Sequence, residues 1–176
     1  MSELRTNRIV PKDGLPAGAF GGIIQVKQSV LTTSAAIATG HNFTDSGLAV
    51  TITPTRSDSR ILVMSDITTG ISNSYGGCLR LIRGSTHIYK GDTAGNRPIV
   101  TKWFCDYKNA TDTYSTYFPH FQFIDNPSTT SAVTYKIQLA GYSSTIVYVN
   151  RSHAHQNYTE YDGSQASSIT VMELSG

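Results

Sequence analysis

The chain has 176 residues, the size of one ordinary domain, and its 14 Lys and Arg against 12 Asp and Glu give a formal net charge of +2. Ser and Thr account for 42 residues, Glu occurs three times, and charged residues make up 15% of the chain against a usual share of about 25%. Residues that favour surface helices are therefore scarce and β-forming residues are plentiful. This composition argues against a helical bundle, a coiled coil or a doubly wound nucleotide-binding fold, and it predicts an all-β protein.

The charges are spread along the chain. The densest basic stretch, between Arg80 and Arg97, is that of an ordinary surface, so we expect no nucleic-acid partner. There is no apolar run of about 18 residues, and the polar N-terminus lacks the apolar region of a signal peptide; we therefore expect neither membrane insertion nor export. Cys78 and Cys105 show no paired spacing and are predicted to be free thiols in the core, with a disulfide as the alternative.

Residues 1–22 differ from the rest of the chain. They are rich in Gly and Pro and show neither the period of a strand nor that of a helix, so this segment cannot fold alone. Apolar residues are nevertheless spaced along it, which favours an arm that docks to another surface over a flexible tail. The apolar residues of this predicted docking arm are Leu4, Ile9, Val10, Leu15 and Phe20.

After the arm, short runs of β-forming residues alternate with turn residues at the spacing of a sandwich or barrel. The run over 23–30 opens the series, and the run LAVTITP places Leu48, Val50 and Ile52 on one face. The run over 60–68 begins with apolar residues on both faces, so we place it in the middle of a sheet. Further strands are predicted at 78–84, 86–92 and 99–107.

The second half of the chain is more regular. In the run over 116–125, Pro119 cannot donate a ladder hydrogen bond, which indicates an edge strand or a bulge. The run VTYKIQLA alternates apolar and polar residues, and runs over 145–151 and 168–174 complete the series. The inward residues predicted for VTYKIQLA are Val133, Tyr135, Ile137 and Leu139.

These runs amount to about nine strands, with no convincing helix and no internal repeat. The last strand ends close to the C-terminus, so we expect the terminus to be tied into a sheet. The sequence therefore predicts an all-β fold: an antiparallel two-sheet jelly-roll sandwich over residues 23–176, preceded by the extended N-terminal arm over residues 1–22.

The sequence contains no catalytic motif, neither GxSxG, HExxH, a Walker loop nor GxGxxG before a helix. A carboxylate pair of Asp66 and Glu173 and a nucleophile pair of Cys105 and His120 are conceivable. Nothing in the spacing requires either pair. We therefore expect no enzymatic activity and no cofactor.

The triplet HAH is the one feature that suggests a metal. In an extended segment His153 and His155 point to the same face, so both imidazoles can reach one ion. Two ligands are too few in one chain, but a three-fold trimer would supply six. The alternative is a polar loop that happens to contain two histidines.

The predicted loops are rich in Tyr, Ser, Asn and Gly, which is the composition of recognition surfaces. Tyrosine supplies rigid amphipathic area and also stacks on sugars, so a receptor or glycan contact is one hypothesis; ordinary polar sandwich loops are the other. The tyrosines that we expect to make such contacts are Tyr75, Tyr142, Tyr158 and Tyr161.

Several segments resemble one family: the structural proteins of tailed bacteriophages that infect cyanobacteria and other marine bacteria. The opening SELRTNRIVPKDGLPAGAFGGIIQV is similar to the N-terminal arm of such proteins. The order and spacing of the segments, which cover most of the chain, make the match more specific than any one of them. The other segments are VTITPTRSDSRILVMSDI, IRGSTHIYKGDTAGNR, FIDNPSTTSAVTYKIQLAG, VYVNRS and SSITVMEL.

The resemblance implies a virion protein, assembled in the cytoplasm of the bacterial host, whose domain is a trimeric jelly roll like those of the tumour-necrosis-factor and C1q type. It also implies that the C-terminal strand lies centrally in its sheet. Its partners would be two further copies of itself, capsid or tail proteins bound through the arm, and a host surface receptor or glycan. The resemblance supplies no catalytic residues. We expect a tail-fibre or head-fibre appendage, with a capsid-stabilising cement protein as the first alternative and a free carbohydrate-binding lectin as the second. A polysaccharide-depolymerising enzyme would need a carboxylate pair that the sequence does not display.

Overall fold

The structure, a computed structural model, describes residues 22–73, 75–93, 95–105 and 113–175. These residues form twelve strands and no helix, which confirms the all-β prediction. The docking-arm residues Leu4, Ile9, Val10, Leu15 and Phe20 lie outside the described residues. The strands are β1 (Ile23–Leu31), β2 (Ala35–Thr39), β3 (Thr44–Ile52), β4 (Arg60–Asp66), β5 (Thr69–Ile71), β6 (Gly77–Arg83), β7 (Thr86–Ile88), β8 (Lys102–Phe104), β9 (His120–Asp125), β10 (Val133–Gly141), β11 (Ile146–Val149) and β12 (Ser167–Leu174).

Two antiparallel sheets contain most of the strands. The first sheet has the order β1-β12-β4-β9, and the second has the order β3-β10-β6-β7, with β8 also paired to β6. The inner faces of both sheets contribute to one hydrophobic core, an arrangement compatible with the predicted sandwich.

Alternation with a period of two residues decides which side chains enter this core. On β3 and β10, every residue predicted to face inward is buried, and the side chains between the inward ones are more exposed. These buried residues are Leu48, Val50, Ile52, Val133, Tyr135, Ile137 and Leu139.

The predicted strand positions are confirmed in the first sheet. β4 lies between β12 and β9, as expected from its apolar residues on both faces. β12 lies between β1 and β4, so the C-terminal strand is central. β9, which begins directly after Pro119, is an edge strand.

The prediction of about nine strands was too low, and two short strands lie outside every predicted run. Both belong to a small third sheet of order β2-β11-β5. β2 comes from a Ser/Thr/Ala-rich segment and β5 has only three residues, so neither strand shows an alternation of apolar and polar residues. The strand predicted over 99–107 is limited to β8, because β7 occupies the other half of the same β6 edge: Leu81 pairs with Ile88, whereas Leu79 pairs with Lys102.

The strand registers define two opposite ends of the domain. At one end Ile23 pairs with Leu174; residues 1–22 join the domain here, and we call it the arm end. At the other end Leu31 pairs with Ser167. The connections from β1 to β3, from β4 to β6 and from β10 to β12 all lie at this second end, together with the third sheet, and we call it the loop end.

A buried carboxylate closes the arm end. Glu173 is fully buried, and its oxygens accept hydrogen bonds from Gln25 Nε2 at 2.6 Å and from Thr55 N, Thr55 Oγ1 and Ser59 Oγ at 2.7 Å each. Burial acts to raise the pKa of Glu173, but the hydrogen bonds from Gln25, Ser59 and Thr55 outweigh it and hold the pKa at about 2. The ionised side chain therefore ties β12 to β1 and to the β3–β4 turn.

A second buried carboxylate joins the two sheets at the same end. Asp125, on β9 of the first sheet, accepts hydrogen bonds from Arg83 Nη1 at 2.9 Å and from the Tyr135 hydroxyl at 2.7 Å, both on the second sheet. Burial and the hydrogen bond to Asp125 raise the pKa of Tyr135, so this tyrosine stays a neutral donor.

Candidate recognition surface

The structure places all four tyrosines predicted to contact a receptor at the loop end. Tyr75 lies between β5 and β6, Tyr142 follows β10, and Tyr158 and Tyr161 belong to the long connection between β11 and β12. All four side chains are exposed, by 44 to 65%. They form two groups, one around Tyr142 and the other in the β11–β12 connection.

Tyr142 is the centre of an exposed aromatic cluster. The centroid of its ring lies 4.9 Å from that of His41, 6.3 Å from that of Tyr75 and 6.2 Å from that of Trp103. The rings are tilted or edge-on to one another, which is the preferred geometry of aromatic pairs. We call these four residues the aromatic cluster.

Backbone hydrogen bonds between separate loops hold the cluster in place. Tyr142 N donates to Gly76 O at 3.1 Å, and Gly141 N donates to Gly40 O at 2.8 Å. The Tyr142 carbonyl accepts a hydrogen bond from Oγ1 of the buried Thr145 at 2.6 Å. Three connections of the loop end are thereby joined at one point.

Gly76 allows Trp103 to approach the cluster. The φ of Gly76 is +98°, a region that favours glycine, and a Cβ at this position would lie 2.8 Å from Cys105 Cβ and 3.1 Å from Trp103 Cζ2. A side chain here would clash with Cys105 and with the Phe104 carbonyl and would crowd the tryptophan ring. The lack of a side chain at Gly76 is therefore required for the close approach of these residues.

A groove of about 290 Å³ lies beside the cluster, on the outer face of the second sheet. Its charged group is Arg80, whose guanidinium carbon lies 3.5 Å from the ring centroid of Phe43 and whose Nε donates to Ile99 O at 3.3 Å. The groove contains no Asp or Glu among its described lining residues. Its described lining comprises His41, Trp103 and Tyr142 of the aromatic cluster together with Phe43, Cys78, Arg80, Pro98, Ala140 and Gly141.

The β11–β12 connection forms a second, polar pocket of about 270 Å³. His155 and Tyr158 line it, and Asp162 stabilises the loop by accepting hydrogen bonds from Ser152 Oγ at 3.0 Å and Gln156 N at 2.8 Å. Tyr161 lies outside this pocket and packs on Tyr114, at 5.9 Å between ring centroids. The two groups of predicted tyrosines therefore belong to separate sites.

The geometry assumed for the HAH metal site is wrong. The segment is bent rather than extended, and His155 has a φ of +46°, so the two imidazoles lose the common face of a strand. His153 Nδ1 instead contacts the Tyr148 hydroxyl at 3.0 Å, and its ring stacks on the tyrosine. In the part of the chain that the structure describes, no three His, Cys, Asp or Glu side chains come close enough to hold a metal ion.

The conceivable pair of carboxylates, Asp66 and Glu173, does not form. Glu173 is buried and pairs along the sheet with Ile61, whereas Asp66 is exposed at the other end of β4, so the two carboxylates cannot act together. Cys78 and Cys105 are both free, as predicted, but Cys105 is exposed rather than in the core, because it follows the end of β8. Burial raises the pKa of Cys78 to about 11, which keeps this thiol protonated and unreactive.

Two of the four cluster residues, His41 and Trp103, and the position of Arg80 beside them were not predicted from the sequence. His41, Trp103 and Arg80 come from three distant parts of the chain, and no local motif joins them to Tyr75 or Tyr142. The exposed tryptophan, the only one in the chain, was the available signal.

Neither a scan against protein-family models nor a search of curated proteins gave a match to this chain. The described residues include no helix of the length and apolarity needed to cross a membrane.

Proposed function

We propose that the chain is a non-enzymatic structural protein of a bacteriophage virion, a homotrimeric fibre or knob that attaches through residues 1–22 and displays its domain for contact with the host. The observation that carries the proposal is the opposition of the two ends. Residues 1–22 join the domain at the arm end, and the exposed aromatic groups lie at the loop end. An arm bound to a particle would therefore leave the loop end directed away from it.

The finer fold proposed is the jelly roll. When the three strands of the small sheet and β8 are set aside, eight strands remain in two sheets of four. Numbered along the chain, these eight have the orders 1-8-3-6 and 2-7-4-5. An eight-stranded arrangement in which the first and last strands are neighbours supports two interlocked Greek keys, the topology of a jelly roll.

An outward-facing apolar row supports the proposed trimer. On the outer face of the first sheet, Val26, Met172, Leu62 and Ile124 occupy directly paired positions across all four strands. Val26 and Ile124 are 49% and 47% exposed. A continuous apolar row on a sheet face is costly in water and suits contact with a second copy of the chain, because obligate interfaces are mainly apolar.

Deletion of residues 1–22 tests the proposed attachment. The truncated protein is expected to keep its melting temperature, because β1 begins at Ile23, and to be absent from purified particles. Electron microscopy and mass spectrometry of the particles provide the readout. Incorporation at full occupancy would contradict the role given to the arm.

The phenotype of particles without the protein separates the fibre from the cement alternative. Intact heads that fail to adsorb to the host indicate a fibre. Heads that break under osmotic shock while adsorption persists indicate a cement protein, and would overturn the proposed display role.

A further inference from the structure

We propose that the groove beside the aromatic cluster binds a carboxylated sugar unit of an acidic polysaccharide. This inference rests on the proposed host-contact function and names the chemistry that the loop end would recognise. It is carried by two exposed aromatic rings, those of Trp103 and Tyr142, by a single arginine beside them, and by the lack of an acidic residue among the described lining of the groove.

The aromatic surface fits a pyranose ring. Trp103 and Tyr142 are 41% and 44% exposed, and their ring centroids lie 6.2 Å apart with the ring planes at 66°. Two rigid rings therefore meet at an angle beside the groove and remain open to solvent. Such faces bind the apolar side of a ring at little cost in conformational entropy. The volume of about 290 Å³ is at the lower limit for ligand sites and suits one sugar unit of a longer chain.

The charge of the groove selects an anionic sugar. Stacking on Phe43 fixes the plane of the Arg80 guanidinium, and the described residues offer its two Nη atoms no hydrogen-bond acceptor. A carboxylate can therefore take both donors in bidentate geometry. Burial, and after it the charges of Arg80 and Lys90, lowers the pKa of His87 on β7.

A carboxylate close to the groove, Asp45, is held in an ion pair. Asp45 accepts hydrogen bonds from Lys136 Nζ and Gln138 Nε2, each at 2.8 Å. Gln138 pairs with Arg80 across the sheet, so Asp45 borders the groove without lining it. Its charge is therefore opposed by Lys136.

The groove remains open in the proposed trimer. It lies on the outer face of the second sheet, whereas the apolar row of Val26, Met172, Leu62 and Ile124 lies on the outer face of the first. Self-association through the first sheet thus leaves each copy with an accessible groove. Three grooves on one particle appendage would add avidity to weak single contacts.

Calorimetric titration of the full-length protein tests the inference. The probes are oligogalacturonate, which carries a carboxylate on every unit, and maltooligosaccharide of equal length, which is neutral. We expect measurable binding of oligogalacturonate that weakens with added salt, and at least about tenfold weaker binding of the neutral chain. Equal affinity for both probes, or binding to neither, would overturn the inference; so would preferential binding of a proline-rich peptide, the other common ligand of an aromatic groove.

Single substitutions locate the site. Trp103→Ala and Tyr142→Ala are expected to weaken oligogalacturonate binding at least about tenfold, and Arg80→Gln to remove the preference for the charged probe. Tyr114→Ala, which removes an exposed aromatic residue outside the groove, is the matched control and is expected to leave binding unchanged. Melting temperatures confirm that each variant folds. An equal loss in Tyr114→Ala would place the sugar elsewhere and contradict the assignment.

Failure of this inference is distinguishable from failure of the proposed function. The titrations use free protein and need no particle, whereas the arm deletion measures incorporation and needs no sugar. A protein that is incorporated into particles through residues 1–22 and binds no uronate contradicts the groove assignment alone.

Discussion

The two ends of the domain use their polar and aromatic side chains in opposite ways. At the arm end, the carboxylates of Glu173 and Asp125 are buried. Glu173 accepts hydrogen bonds from Gln25, Thr55 and Ser59. Asp125 accepts them from two residues of the opposite sheet, Arg83 and Tyr135. At the loop end, Trp103 and Tyr142 remain exposed, and the backbone contains left-handed residues such as Ser143 and His155. Groups that are satisfied internally stabilise the fold, whereas groups that stay exposed are available to an outside ligand.

Removal of the C-terminal strand should have the largest effect on stability. Deletion of residues 168–176 opens the ladders of β12 with both β1 and β4 and removes the fully buried Ile169 and Val171, which contribute about 1.5–3 kcal/mol each. Since a domain is stable by only about 5–15 kcal/mol, we expect insoluble or unfolded protein.

Deletion of residues 1–9, an equal length from the other terminus, is the control and should leave a folded protein. Solubility and circular dichroism give the readout. A soluble, folded C-terminal truncation would show that β12 is peripheral to stability.

Glu173→Ala should have the next largest effect. It leaves donors on Gln25, Thr55 and Ser59 without their buried acceptor, and the free energy of unfolding should fall by about 2–3 kcal/mol. Urea denaturation measures the change. Glu160→Ala, at an exposed position of the loop end, should stay within about 0.5 kcal/mol of the parent protein. Equal effects of the two variants would remove the distinction between the ends.

The same carboxylate predicts a dependence on pH. The pKa of Glu173 is about 2 in the folded protein against 4.5 for an ordinary glutamate, so its ionised form stabilises the fold above pH 4.5. This contribution should be lost as the pH falls from 4.5 towards 2. The difference in unfolding free energy between the parent protein and Glu173→Gln should therefore shrink over this interval, and a constant difference would contradict the assigned hydrogen bonds.

Tyr135→Phe should have a smaller effect, because it removes one hydrogen bond to Asp125 and leaves the bond from Arg83 in place. We expect a loss of about 1 kcal/mol, seen as a lower melting temperature. Tyr158→Phe, which removes a hydroxyl at the exposed end, is the matched control and should melt like the parent protein.

The smallest effect on stability is expected from the exposed tyrosines of the loop end. Replacement of both Tyr158 and Tyr161 with Ala should change the free energy of unfolding by no more than about 0.5 kcal/mol. A loss comparable to that of Glu173→Ala, measured in the same urea titration, would mean that these residues support the fold.

Sequence reasoning succeeded where one face of a strand is buried. Regular alternation on β3 and β10 identified the core residues, and Pro119 identified the edge strand, because both signals are local and arise from backbone geometry. The short strands β2 and β5 were missed because their pairing with β11 depends on the rest of the fold.

The candidate site was predicted in part. Composition alone identified Tyr75 and Tyr142 as exposed loop residues, but it could not show that they share a surface with Trp103 and differ in location from Tyr158 and Tyr161. The extended backbone that the metal hypothesis assumed is not present at His155, whose φ is +46°. The grouping of the tyrosines and the bent backbone at His155 both depend on the tertiary structure, which a local sequence pattern does not determine.

The apolar row on the first sheet offers a substitution that separates assembly from folding. Ile124→Glu places a charge on an exposed edge position of the row, so we expect a folded monomer. Thr51→Glu, on the exposed outer face of the second sheet, should leave the association state unchanged. Dissociation of both variants would show that the contact is not confined to the first sheet.

Sedimentation equilibrium of the full-length protein at micromolar concentration tests the proposed assembly most directly. The account predicts a single species of three times the chain mass of 19.1 kDa, converted to a monomer by Ile124→Glu. A well-behaved monomer of the parent chain would contradict the homotrimer and the role given to the apolar row.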